Sequence, residues 1–398
     1  MHMKQIKRFT TVAFMALAIG ATAQNNPGIE QVLKSIETNN KELQAHTQLI
    51  ASQKLEAKSE NNLTDPTLSY AHLWGAKERS HTIGELVVSQ EFDFPTLYVG
   101  RAQLNRLRAT AFDGQHSSVR QTILLQAKEL CLDIIWLKQQ KEILDERRRN
   151  AEELSVLYAR RLATGDANRL ETNKINLELL NVKTEAAMNE TALRNKLETL
   201  TALNGNQPVA ADLTAYPTVA LPANYEALRQ EAVATDPTLQ TLASESLVAQ
   251  KQISVNQQNW LPKLELGYRR NTESGESFNG VVVGFSFPMF QNRNKVKAAR
   301  AQSLNIDLLK AGATTQVASE LTQAYTEAKS LHASMEEYRE TFEAQQDLSL
   351  LKQALDGGQI NMIEYFVELS VIYQSRQNYL LLENQYQKAV ARIYKGML

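Results

Sequence analysis

Two stretches of this 398-residue chain, 96–207 and 289–398, contain none of its nine prolines. Each is about 110 residues long and nearly free of glycine except near its midpoint. Proline and glycine are the residues a helix tolerates least, so such stretches favour helix. The run from Thr96 to Leu162 alone predicts a helix of about 65 residues, ~100 Å long at 1.5 Å rise per residue, which no compact globule of this size contains. Leu193, Leu197 and Leu200 follow a four-then-three spacing, and Tyr379, Leu382, Tyr386, Ala389 and Ile393 continue three-four-three-four. That is the seam of helices packed lengthwise as in a coiled coil.

The two stretches belong to copies of one unit. Residues 82–204 and 275–396 repeat at an offset of about 193 positions. Phe92-Asp93-Phe94-Pro95 ends an alternating strand in the first copy, as Phe285-Ser286-Phe287-Pro288 does in the second. At the same offset the segment from Leu162 through Gly165 to Glu171 matches that from Leu355 through Gly358 to Glu364. Each unit therefore reads as a β-hairpin, a proline, a very long helix, a glycine turn and a returning helix. Shorter helices, roughly Ile29 to Ser59 and Tyr225 to Gln258, precede the hairpins. A linker carrying Gly205, Pro208, Pro217 and Pro222 separates the units and is expected to pack on the outside of the helices.

The organisation expected is a signal peptide at 1–23, a first repeat at 24–205 (strands 66–94, long helices 96–203, turn at 165), a linker at 206–223, and a second repeat at 224–398 (strands 262–289, long helices 292–394, turn at 357–358). Lys4, Lys7 and Arg8 before the apolar run Thr11 to Ile19, followed by Ala21-Thr22-Ala23, read as a secretory signal cut before Gln24. Its loss takes Lys+Arg from 43 to 40 against 44 Asp+Glu, a mature charge near −4. This leaves no basic footprint for nucleic acid. No apolar run after the signal reaches ~18 residues, so membrane insertion would have to use strands.

The strands carry a two-faced pattern. Leu264, Leu266 and Tyr268 alternate with Lys263, Glu265 and Arg269; beyond a turn-rich segment, Asn271 to Ser277, Val281, Val283, Phe285 and Phe287 alternate with Val282, Gly284 and Ser286. Leu86, Val88, Phe92 and Phe94 alternate with Val87, Ser89, Glu91 and Asp93, and the polar loop Gly75 to His81 separates them from Leu68-Ser69-Tyr70. Strands of about ten residues, apolar on one face and polar on the other, suit either a transmembrane barrel wall or a soluble sheet packed on helices. Four strands cannot close around a lumen, and open edges in lipid would leave backbone groups unsatisfied. Oligomerisation follows, and three copies would supply twelve strands.

On these residues the chain resembles the TolC family of outer-membrane efflux proteins over nearly all of its mature length. The doubled Phe94-Pro95 and Phe287-Pro288-Met289-Phe290 motifs and the doubled glycine turns carry the resemblance. It implies a mainly α fold with a small β part, made of a tandem duplicated unit. Three copies would form a 12-stranded β-barrel in the outer membrane and an α-helical barrel in the periplasm. It also implies a passive exit duct of a tripartite pump or a type I secretion-like system, with a periplasmic adaptor and, through it, an inner-membrane transporter as partners.

The resemblance assigns the adaptor-binding tip to Gly165, Asp166 and Ala167 in the first copy and Gly357, Gly358 and Gln359 in the second. It assigns the acidic periplasmic aperture to Glu364, with Glu171 as first-copy counterpart and Glu368 one turn above. Three convergent carboxylates would attract cations and raise one another's pKa; an ordinary solvated helix stripe is the alternative. Where relatives place an arginine in the second tip this chain has Ile360, and Arg169 in the first tip is a substitute candidate.

Other residues add little chemistry. His46, His72, His81, His116 and His332 form no i,i+4 pair, which gives no expectation of a metal site, and no cofactor is expected. Cys131, beside Leu130 and Ile134 in a helical run, reads as a buried free thiol. Arg147-Arg148-Arg149 with Glu142, Asp145 and Glu146 reads as a solvated face with local ion pairs. No nucleophile elbow, Walker or dinucleotide fingerprint occurs, so an enzyme is not expected. The competing class is a periplasmic coiled-coil adaptor or stalk with a soluble β-domain, which usually carries one helical hairpin where this chain carries two.

Overall fold

The computed structural model describes residues 27–75, 82–209, 211–222, 224–273, 275–344 and 348–398. The expected signal peptide and His81 lie outside them. The first unit runs α1 (Pro27–Asn39), α2 (Lys41–Ser59), β1 (Thr67–Trp74), β2 (Thr82–Phe92), α3 (Pro95–Thr164) and α4 (Arg169–Leu203). The second runs α5 (Tyr225–Thr235), α6 (Pro237–Gln258), β3 (Lys263–Glu273), β4 (Glu276–Ser286), α7 (Lys295–Ala344), α8 (Leu348–Asp356) and α9 (Met362–Ile393), closed by a 3-10 turn at Lys395–Met397.

The 70 residues of α3 make a helix ~105 Å long. It starts at Pro95, whose missing N–H costs nothing in a first turn, and Phe94 before it is extended as a pre-proline residue must be. Its middle is buried on several sides at once: Leu130 to Ile135 are all buried, and α1, α4 and α9 contribute to the same cluster. Within it Cys131 is fully buried, and burial pushes its thiol up to about 12, as the reading of an inert thiol requires. From the linker, Leu213, Val209, Ala211 and Tyr216 pack on this cluster, while Val219 and Leu221 pack on a second one formed by α7 and α9.

Three expectations are corrected. The helix expected over Ile29 to Ser59 breaks at Asn40, whose Oδ1 accepts from Leu43 N at 2.9 Å and starts a new helix. The helix expected over Tyr225 to Gln258 breaks at Asp236-Pro237. Pro237 cannot continue the ladder from α5, and Asp236 Oδ1 caps Thr238 N and Leu239 N. The turn expected over Asn271 to Ser277 is mostly strand: β3 and β4 pair through Glu273 and Glu276, and Gly275 before β4 sits at φ 93.

The two hairpins join in one antiparallel sheet of order β1-β2-β3-β4. Its register collects the apolar side chains on one face. Leu68, Val88, Tyr268 and Val281 form one row, Leu266 pairs with Val283, and Leu264 lies between Phe92 and Phe285. The other face holds Glu85, Glu91, Glu265, Lys263 and Arg269. There Arg269 pairs with Glu85 at 2.7 Å, and Lys263 pairs with Glu91. Apolar residues of the first face stay open, Val281 at 80% and Leu68 at 70%. The soluble alternative required this face to pack on helices, and it does not.

Candidate functional site

The far end of the molecule is built from the two glycine turns, which share their closing hydrogen bonds. Gly165 caps α3 in the left-handed region at φ 86, and Gly358 follows α8 at φ 70. Asp166 N donates to Arg161 O at 2.8 Å, and its counterpart Gln359 N donates to Ala354 O at 2.8 Å. This six-to-one closure satisfies carbonyls that the helix end leaves open, and it requires the positive φ that glycine adopts without strain. A Cβ built on either glycine meets no atom within 4 Å, so backbone conformation alone demands glycine there.

Each turn leads straight into a capped helix. Asn168 Oδ1 accepts from Glu171 N at 2.9 Å while Asn168 N donates to Glu171 Oε2 at 3.1 Å. In the second copy Asn361 Oδ1 accepts from Glu364 N at 3.0 Å and Asn361 N donates to Glu364 Oε2 at 2.9 Å. Both are reciprocal capping boxes. Sequence reasoning singled out the glutamates and passed over the asparagines, although the Asn-x-x-Glu spacing after each glycine was the signal for them. Glu171 and Glu364 thus hold one carboxylate oxygen on their own backbone and keep the other free.

The glutamates sit differently. Met362, Tyr365, Leu369 and Tyr373 form the buried stripe of α9, packed on Leu154 and Tyr158 of α3 and Ile175 of α4. Tyr373 also accepts a hydrogen bond from Asn150 Nδ2 at 2.6 Å, and burial pushes its phenol above the usual range. Glu364 and Glu368 lie on the opposite, exposed face with Ile363, Val367 and Val371. Glu171 is half-buried. Asp166, Gly357 and Gln359 are exposed at the tip, where Thr164 Oγ1 donates to Asp166 Oδ2 at 2.7 Å.

Ala167 and Ile360 are equivalent positions in the two copies, and both pack on the cluster beneath the tip. The second tip is therefore anchored by an apolar contact. Arg169 is exposed and makes no ion pair among the described residues. A further correction concerns Arg147, which does not face solvent among local partners: it crosses to α4, pairing with Glu178 at 2.6 Å and Glu185 at 2.8 Å. Burial opposes its charge, and the two carboxylates outweigh that and raise its pKa.

Residues 228–397 match the family model described as outer membrane efflux protein. The match lies within the second unit and covers under half of the chain. The chain's solved relatives in fold cover both units. CusC, described in the context of transmembrane channel formation, aligns over 94% of this chain and 93% of its own with a TM-score of 0.78 at 15% identity. The CmeC outer membrane channel of Campylobacter jejuni aligns over 93% and 85% with a TM-score of 0.74 at 13% identity. The outer membrane protein VceC of Vibrio cholerae aligns over 93% and 95% with a TM-score of 0.75 at 13% identity. At these identities the likeness shows the fold. No curated protein matches the chain in sequence.

The matched model describes outer membrane efflux proteins, and CmeC is itself an outer membrane channel. Among the described residues no helix is long and apolar enough to cross a membrane.

Proposed function

We propose that three copies join their four-stranded sheets edge to edge into a twelve-stranded barrel, continued by a tube of long helices, as a passive exit duct of a tripartite efflux pump. The observation that carries this reading is the sheet itself. Its apolar face is exposed, its polar face is laced with ion pairs, and β1 and β4 are edges. Such edges cannot remain unpaired in hydrocarbon, and pairing β4 of one copy with β1 of the next removes them. The apolar face then meets lipid and the charged face lines the lumen.

The tip turns are the adaptor-docking surface in this reading. Gly165, Asp166 and Ala167 with Gly357, Gly358 and Gln359 cap the helices at the end opposite the sheet, and an inner-membrane transporter acts through the adaptor. Glu364, with Glu368 one turn above, forms the acidic constriction. The supporting fact is that both carboxylates lie on the face of α9 turned away from the core of their own protomer. Glu171, half-buried beside its cap, contributes less.

Planar-bilayer recording tests the constriction. Divalent or trivalent cations added on the periplasmic side should block the current, because convergent carboxylates concentrate cations in a narrow pore. Glu364→Gln should weaken that block. Glutamine also serves at the third position of a capping box, so the turn survives the substitution. Equal block in both proteins would assign Glu364 to capping alone.

A further inference from the structure

His46 of α2 and His116 of α3 are 70 positions apart, yet the fold brings them together. Their ring centroids are 5.7 Å apart with planes at 26°. The Nδ1 atom of each is buried and has no hydrogen-bond partner. An imidazole nitrogen removed from water without a partner destabilises the fold whether it carries its proton or its lone pair. Two such atoms on neighbouring rings are candidates for a shared ligand. An ion holding two imidazole nitrogens at about 2.0–2.1 Å, with a tetrahedral or wider angle between them, places the ring centroids roughly 5–6.5 Å apart. The observed spacing falls inside that window.

We propose that His46 and His116 form a two-histidine site for a borderline divalent cation such as Zn²⁺, Ni²⁺ or Cu²⁺, clamping α2 to α3. α3 is already tied to α2 on one side of the histidines and to α1 on the other. Lys54 of α2 pairs with Asp113 at 2.6 Å on one side, and Arg120 of α3 pairs with Glu37 of α1 at 2.6 Å on the other. The site is thus organised before the ion arrives, and the nearest of these carboxylates are engaged elsewhere. With two protein ligands, water completes the coordination shell. Nitrogen donors without a carboxylate select against Mg²⁺ and Ca²⁺, which take oxygen ligands. The site lies on the helices, far in sequence from the tip and the strands, and does not depend on the proposed duct.

The test uses the full-length protein in detergent, purified without a polyhistidine tag and stripped with a chelator. Calorimetric titration with Zn²⁺ should give one saturable site per protomer, with a rise in thermal midpoint that Mg²⁺ does not produce. His46→Ala and His116→Ala should each weaken binding by more than the ~10–100-fold that outer-shell changes cost, while His72→Ala, on a strand, leaves it unchanged. Retained assembly and circular dichroism identify variants that fold, and His46→Gln stands in if an alanine variant does not. Absence of saturable binding, wild-type affinity in either histidine variant, or an equal midpoint shift with Mg²⁺ would each overturn the proposal.

Discussion

Asp133 of α3 accepts a hydrogen bond from Lys388 Nζ of α9 at 2.9 Å, joining the first unit to the second across 255 positions of sequence. Lys196 of α4 donates to the same carboxylate at 2.8 Å and Asn384 of α9 at 3.1 Å. Three helices therefore meet on one side chain that is only 8% exposed. Removing the carboxylate leaves two lysines facing each other. Asp133→Ala should lower unfolding stability by about 3 kcal/mol, the lower end for a broken buried pair because Lys196 keeps access to water. Chemical denaturation in detergent measures it.

The same residue sets an acid limit. Burial alone would raise the Asp133 carboxyl, but the hydrogen bonds from Lys196, Lys388 and Asn384 outweigh it and hold the group below its ordinary value. Its stabilisation is therefore complete above the unfolded carboxylate value of about 3.9 and is lost as pH falls through the lower folded value. Thermal midpoints of wild type and Asp133→Asn should differ most near neutrality and converge below about pH 4. A constant difference across that range would contradict this assignment.

Adjacent residues of β4 should respond oppositely to charge. Val283 sits beside Leu266 on the apolar face and Val282 beside Gly267 on the polar face. Arginine at a lipid-facing midplane position costs about 2–4 kcal/mol, whereas a lumen position accepts it. Val283→Arg should reduce the yield of assembled protein in outer-membrane fractions, and Val282→Arg should leave it near wild type.

At the tip, Gly358→Val forces a β-branched residue to φ 70 and should cost about 1–2 kcal/mol locally without disturbing assembly. Asn361→Ala removes the acceptor for Ile363 N and Glu364 N and should cost about 1 kcal/mol. Both variants should lose adaptor affinity in a pull-down while keeping the oligomer. Wild-type affinity in both would move the docking surface away from these turns.

The repeat, the strand alternation and the glycine turns were legible because each is a short-range pattern with a fixed period. The breaks at Asn40 and Asp236 were marked by the capping residues themselves and by Pro237, signals weaker than the long proline-free runs beside them. Asp133 could not be read as a junction, since its partners stand 63, 251 and 255 positions away. The same holds for His46 and His116, which share no local spacing. Arg147 looked like one of three solvated arginines, and only the packing of α3 on α4 separates it from Arg148 and Arg149.

Native mass spectrometry of the detergent-extracted protein tests the central claim most directly, since closure of the sheet depends on copy number. The account expects a mass three times that of one chain, persisting under conditions gentle enough to retain the sheet. A stable monomer with its β-structure intact would contradict it.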